Sequence, residues 1–267
     1  MGGACSQACL VDNMQTFIAK GVELAFIDVA ATEGEGTPLI LVHGFASNYT
    51  VNWINTLWIK TLTHAGYRVI ALDNRGHGKS EKLYQPSDYG SQIMAEDVRL
   101  LMDHLNIERA DVMGYSMGAR ITAHLALSYP ERVRSALLGG LGIKLVQGAA
   151  LPQNIADAME ATSLDDLKEP MQRLFRAFAE QTGSDLRALA ACIRGSRQSL
   201  SIDDVAKIDV PTLISVGTND PIAGSAHQLA ALMPQALALD IVGKDHNLAV
   251  GDRTHKEGVL AFLRQRA

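Results

Sequence analysis

Gly114-Tyr115-Ser116-Met117-Gly118 decides how this chain is read. The stretch fits G-x-S-x-G, a serine held between two glycines. Before it, Ala110-Asp111-Val112-Met113 reads as a short buried strand; from 116 to 129 the pattern reads as a helix. A serine on a sharp strand-to-helix turn is forced out of the sheet with its hydroxyl exposed. Glycine on either side permits that turn, because a Cβ there would crowd the neighbouring backbone. Five residues alone occur by chance in many proteins, so the motif takes its meaning from the rest of the chain.

Outward from the turn, strand-like segments recur at 15–19, 22–29, 39–42, 68–72, 110–113, 136–138, 213–216 and 238–242. The middle ones are continuous apolar runs bounded by turn residues, as expected for strands covered on both faces. Helical patterns at 53–64, 89–105, 116–129, 225–233 and 254–266 fall mostly between them. This alternation predicts an α/β fold, a mostly parallel eight-stranded sheet with helices on both faces. The rhythm breaks between 141 and 209, where no convincing strand occurs. There Leu164, Leu167, Met171, Leu174, Phe175 and Phe178 recur at helical spacing, and Leu186, Leu189, Ala190 and Ile193 suggest another helix. The stretch is too long for a simple crossover. The expectation is a core made of 1–140 and 210–267 with a helical cap inserted at 141–209. The plainer alternative is ordinary crossover packing, with those apolar residues facing the core.

A chain of 267 residues with 47% hydrophobic content suits one such domain and buries a core without disulfides or metals. A net charge of −5 and no lysine/arginine cluster argue against nucleic acid as a partner. No apolar run approaches the ~18 residues of a membrane span. With no basic residue before Lys20 and no apolar segment following, the start does not read as a secretory signal, although Gly2 to Ser6 matches a myristoylation pattern. Cys5, Cys9 and Cys192 give no disulfide framework, and no Cys/His cluster completes a metal site with Cys5 and Cys9. A reducing, cytoplasmic location is expected, with a small-molecule substrate and no cofactor or metal.

Serine is a poor nucleophile unless a base takes its proton, and the base needs a third group to hold its tautomer. In open α/β sheets, sites lie outside the C-terminal strand ends. Of the eight histidines, His64, His104, His124, His227 and His255 fall within predicted helices, and His43 and His77 follow strands that precede the serine. His246 follows the last predicted strand, in the loop Gly243-Lys244-Asp245-His246-Asn247, and is the candidate base. Asp220 lies just past the strand at 213–216 and is the candidate acid. Asp209 is at the wrong end of that strand, Asp240 is inside a strand, and Asp245 adjoins His246 too closely to align. The order Ser-Asp-His fits the strand-turn-helix context. Donors for an oxyanion are expected from the backbone N–H of Met117 and of Phe45, in the loop His43-Gly44-Phe45, where Gly44 lets the backbone turn inward.

Taken together, His43-Gly44-Phe45, Asp73-Asn74-Arg75-Gly76-His77-Gly78-Lys79-Ser80, the serine pentapeptide, the turn at 217–221 and His246 make the chain resemble a small, capped α/β-hydrolase, from about Val22 onward. The resemblance implies Ser116 as nucleophile, His246 as base, Asp220 as its orienter, Phe45 and Met117 as oxyanion donors, and a cap from 141–209. Ala119-Arg120 departs from the further glycine of many relatives, which is expected to affect packing under the turn more than chemistry. Gly78-Lys79-Ser80 imitates the end of a P-loop, but that pattern needs glycine where Asp73 stands.

A serine hydrolase acting on an ester through an acyl-enzyme is the leading expectation. Carbon–carbon hydrolases, lactonases, thioesterases and perhydrolases use similar patterns, and a hydrolase-like receptor with slow turnover is the alternative from another class. Substrate choice is expected to depend on the cap and on loops near Trp53, Trp58, Met113 and Met117, around an apolar pocket.

Overall fold

The computed structural model describes residues 14–148 and 151–266. Cys5, Cys9 and the acylation pattern at 2–6 lie outside the described residues. The strands are β1 (Met14–Ala19), β2 (Val22–Val29), β3 (Thr37–Val42), β4 (Tyr67–Leu72), β5 (Ala110–Tyr115), β6 (Val133–Gly139), β7 (Thr212–Gly217) and β8 (Ala236–Ile241). They form one eight-stranded sheet in the order β1-β2-β4-β3-β5-β6-β7-β8. β2 runs antiparallel to β1 and β4, and every other neighbouring pair is parallel.

The helices are α1 (Trp58–His64), α2 (Ser91–His104), α3 (Met117–Ser128), α4 (Asn154–Glu160), α5 (Pro170–Gln181), α6 (Leu186–Gly195), α7 (Ile202–Val205), α8 (Ala226–Ala230), α9 (His246–Val250) and α10 (Arg253–Arg264). Side chains alternate across a strand, so each central strand feeds two cores. Ile40, Val42, Val112 and Ile214 pack with Val98 and Leu101 of α2 and Ile121 and Leu125 of α3. Leu39, Leu41, Met113 and Leu213 pack on the opposite face with Trp53, Trp58 and, from α10, Val259 and Phe262. Full burial of one such aliphatic side chain is worth about 1.5–3 kcal/mol, which explains why these strands read as continuous apolar runs. Among the described residues no helix is long and apolar enough to cross a membrane.

Two helical segments differ from the periodicity. The pattern at 53–64 is split: Thr50–Ile54 forms a π-helical turn, Leu57 adopts a left-handed backbone (φ 65°), and α1 starts only at Trp58. The run from Leu164 to Phe178 is also broken. Leu164–Asp166 is a separate 3-10 turn whose Ser163 side chain accepts from the Asp165 N–H, and Pro170 opens α5. Proline lacks the N–H that a helix interior needs and suits a first turn. No strand occurs in the described part of 141–209. Its α4, α5 and α6 share an apolar cluster that joins Ile155, Met159, Ala179 and Leu189 to Phe45 and Tyr89 of the core loops.

Register aligns the strand ends that matter. Val42 pairs with Gly114, Tyr115 with Gly139, and Gly217 with Ile241. The segments after β3, β5, β7 and β8 therefore leave the sheet at one edge.

Candidate active site

At that edge Ser116 sits on a backbone with φ 55° and ψ −111°, between the end of β5 and the start of α3. A non-glycine residue in this region carries strain on the order of 1–3 kcal/mol. Close packing enforces it. A Cβ on Gly114 would lie 2.0 Å from the Gly118 carbonyl oxygen, and one on Gly118 would lie 1.9 Å from that of Val42. The Ser116 N–H donates to the Gly139 carbonyl at 2.8 Å, anchoring the turn to β6.

Ser116 Oγ lies 3.0 Å from His246 Nε2, and His246 Nδ1 lies 2.7 Å from Asp220 Oδ2. The Asp220 side chain is fully buried, whereas that of His246 is 13% exposed. Asp220 Oδ1 accepts from the Ile222 N–H (2.8 Å) and the Ala223 N–H (3.1 Å), so the turn after β7 fixes the carboxylate before the imidazole reaches it. A carboxylate on Nδ1 leaves Nε2 as the acceptor toward the hydroxyl. This chain of contacts can take a proton from Ser116.

His246 does not sit in an open loop. It is the first residue of α9, whose cap is Asp245: that carboxylate accepts from the Asn247 and Leu248 N–H groups at 3.0 and 2.8 Å. Asp245 thus serves the helix and leaves the imidazole to Asp220. A contact the sequence did not suggest adds to this: the Tyr115 hydroxyl donates to the His246 backbone carbonyl at 2.5 Å. Burial, then the nearby Asp220 and Asp245, push the Tyr115 phenol up, so it stays a donor.

Among the described residues, the Phe45 and Met117 N–H groups make no backbone hydrogen bond. Met117 opens α3, where a helix leaves its first N–H groups unpaired. The residue with a left-handed backbone in the loop after β3 is Ala46 (φ 56°), not Gly44; the Gly44 N–H donates to Asn52 Oδ1 at 3.2 Å.

The other strand-end histidines are engaged elsewhere. His43 donates from Nδ1 to the Gly44 carbonyl (2.7 Å) and accepts at Nε2 from the Asn74 N–H (3.0 Å). Burial lowers its pKa to about 3, and that of His77 to about 4. Asp73 fills the loop that imitated a phosphate cradle. Its carboxylate accepts from the Tyr49 N–H and the Lys79 N–H, both at 2.7 Å.

Two lobes meet at Ser116. The larger, about 330 Å³, is lined by Met117, Leu141, Met171 and Ile193 among others, and also by Arg120 and Lys144. The smaller, about 260 Å³, is lined by Leu174, Phe175, Phe178 and His246. Phe45 and Ile222 border both. Of the four residues whose neighbouring loops are expected to shape substrate choice, Met117 itself lines the larger lobe, and Val51, Asn52 and Thr56 around Trp53 line the smaller one, whereas the side chains of Trp53, Trp58 and Met113 are fully buried core. Arg120 is 4% exposed and lines the larger lobe beside Ser116. The sequence signal was its spacing, since residues four apart share a helix face.

The profile of the alpha/beta hydrolase fold matches residues 37–159. The chain is 33% identical, over 86% of its length, to the dihydrolipoyllysine-residue acetyltransferase component of an acetoin cleaving system from Pseudomonas putida, and spans 64% of that protein. It is 26% identical, over 91% of its length and 96% of the relative's, to a non-heme chloroperoxidase from Kitasatospora aureofaciens. The crystal structure of an enol-lactonase from Burkholderia xenovorans superposes with a TM-score of 0.75 at 20% identity, covering 94% of this chain and 100% of that one.

Proposed function

Because the chain belongs to the α/β-hydrolase fold family, we propose that it is a serine hydrolase cleaving carboxylic esters of small, largely apolar substrates through an acyl-enzyme. The observation that carries this reading is the chain of contacts from Ser116 Oγ through His246 to Asp220, at 3.0 and 2.7 Å. In the proposal, His246 Nε2 takes the Ser116 proton as Oγ attacks the ester carbonyl. The Phe45 and Met117 N–H groups hold the oxyanion. Collapse of the tetrahedral intermediate breaks the bond to the alkoxy group, which leaves with the proton from His246. Water then attacks the acyl-enzyme by the same route, releasing the acid and restoring the serine.

Two lobes that share Ser116 in their linings suit the two halves of an ester, and their largely apolar linings favour apolar groups in each. A lactone is a cyclic ester and falls under the same chemistry. Of the cap helices in this reading, α5 and α6 line the larger lobe through Met171, Cys192 and Ile193, and α5 lines the smaller one through Leu174, Phe175 and Phe178. The sparse cysteines support a cytoplasmic setting. Turnover of p-nitrophenyl esters tests the reading. Sustained release of nitrophenolate that disappears in Ser116→Ala supports an enzyme of this class; a single stalled equivalent indicates a receptor, and unchanged hydrolysis by Ser116→Ala overturns the mechanism.

A further inference from the structure

The guanidinium of Arg120 is a buried cation with no acid beside it. Only 4% of the residue is exposed, yet among the described residues no carboxylate pairs with it. Its hydrogen bonds run to two backbone carbonyls, Nη1 to Leu145 (3.2 Å) and Nη2 to Lys144 (3.3 Å), and both are long. The other deeply buried arginines are satisfied differently. Arg75 meets Asp97 through two bonds of 2.7 Å, and Arg176 meets Glu180 at 2.7 Å. Burying a charge without a partner is costly, and proteins rarely retain it without use.

The place of this cation is informative. Arg120 lies four residues after Ser116, in the first turn of the helix that Ser116 precedes, about one turn (roughly 6 Å) along its axis. It lines the larger lobe together with Ser116. Lys144, an exposed residue, lines the same lobe, and no aspartate or glutamate does so among the described residues. The remaining lining is mainly apolar, with Leu141, Leu151, Met171 and Ile193. The lobe therefore carries a guanidinium, a planar donor suited to a carboxylate, in a wall that is otherwise mainly apolar apart from Ser116, Lys144, Gln147 and Ser196. Burial lowers the Arg120 pKa only to about 10, so the group stays charged at neutral pH.

Building on the ester-hydrolase reading, we propose that the substrate carries a free carboxylate a few carbons from the scissile carbonyl, held by Arg120 in the larger lobe. Arg120 is then a specificity-determining residue and takes no part in proton transfer. Apolar contacts alone would not reject an uncharged analogue, whereas an unpaired buried guanidinium does so.

The test uses two ester series on the intact protein. In one, p-nitrophenyl alkanoates end in a carboxylate or in its methyl ester. In the other, butyrate esters of hydroxy acids are compared with those of the matching methyl esters. The expected result is a kcat/KM ratio of roughly 30-fold or more in favour of the charged member of one series, from the strength of a charge-assisted hydrogen-bond pair. Arg120→Met brings that ratio close to one, and Arg120→Lys restores part of it. An arginine that merely ties down the 144–145 loop would change both members alike. Calorimetry of adipate binding to Ser116→Ala gives a readout independent of turnover and of whether Arg120→Met folds. Equal kcat/KM for charged and uncharged members in both series overturns the proposal. If neither series is hydrolysed, the hydrolase reading fails and binding alone decides. Adipate binding weakened but not abolished in Ser116→Ala/Arg120→Lys then supports the proposal; binding unchanged in that variant, or absent from Ser116→Ala, overturns it.

Discussion

The Tyr115 hydroxyl donates to the backbone carbonyl of His246 at 2.5 Å, joining the residue before Ser116 to the residue that carries the imidazole. β5 and β8 are separated in the sheet by β6 and β7, so this bond spans two intervening strands. It bears on the backbone of His246, while Asp220 bears on the ring. Tyr115→Phe removes the donor and keeps the ring volume. The expected outcome is a fall in kcat of roughly five- to tenfold, in line with about 1 kcal/mol for one hydrogen bond, with little change in KM. Steady-state kinetics on a p-nitrophenyl ester provide the check; an unchanged kcat would show that this bond does not position the imidazole.

Gly118→Ala places a methyl group where the Val42 carbonyl oxygen already stands, 1.9 Å away. Backbone on both sides leaves no flexible atom to yield. We expect a loss of stability of about 3 kcal/mol or more, read by urea denaturation. Wild-type stability in this variant would contradict the packing described for the turn.

Stability should fall as pH drops below neutrality. Burial lowers the pKa of His43 to about 3, and those of His77, His124 and His255 to about 4, against 6.5 when unfolded. Groups with depressed folded-state values bind protons on unfolding, so their contribution is complete above pH 6.5 and is lost as pH falls toward 4. Between pH 6.5 and 5 each costs at most about 2 kcal/mol. Burial acts oppositely on Asp73, raised to about 6; its contribution is complete below its unfolded value of 3.8 and is lost as pH rises through 6. Burial raises Asp97 and Asp111 in the same sense as Asp73, but the four histidines outweigh these aspartates, so urea midpoints at pH 5 should lie well below those at pH 7. A flat profile would show that these imidazoles are not held neutral.

Phe175→Ala opens the smaller lobe, where Phe175 stands beside Phe178 and 6.1 Å from the Phe45 ring. The kcat/KM profile across p-nitrophenyl esters of increasing acyl length, with alcohol-side variants, should shift toward the bulkier member. An unaltered profile would mean that this lobe does not receive substrate.

Much of the scaffold is legible in the residues, and the exceptions have physical causes. β2 covers the same Val22–Val29 that alternation marks. β6 begins at Val133, three residues before its apolar run, because Ser135 is buried through a bond from its hydroxyl to Asp111 at 2.7 Å. Periodicity cannot anticipate a left-handed Leu57, so the helix at 53–64 is read as unbroken. α9 is five residues long and carries too little pattern, although Asp245 is a good N-cap residue and was the available signal. The positions of Ser116, Asp220 and His246 follow from strand order, which local sequence encodes. The directions of Tyr115 and Arg120 depend on which loops lie opposite them, and no local pattern carries that information.

The most direct test of the central claim is the kcat of Ser116→Ala for a p-nitrophenyl ester hydrolysed by the wild type, with folding verified by thermal melting. The proposed mechanism predicts a loss on the order of 10⁶ in kcat, as expected when the nucleophile of such a site is removed. Hydrolysis at the wild-type rate by a folded Ser116→Ala protein would contradict it.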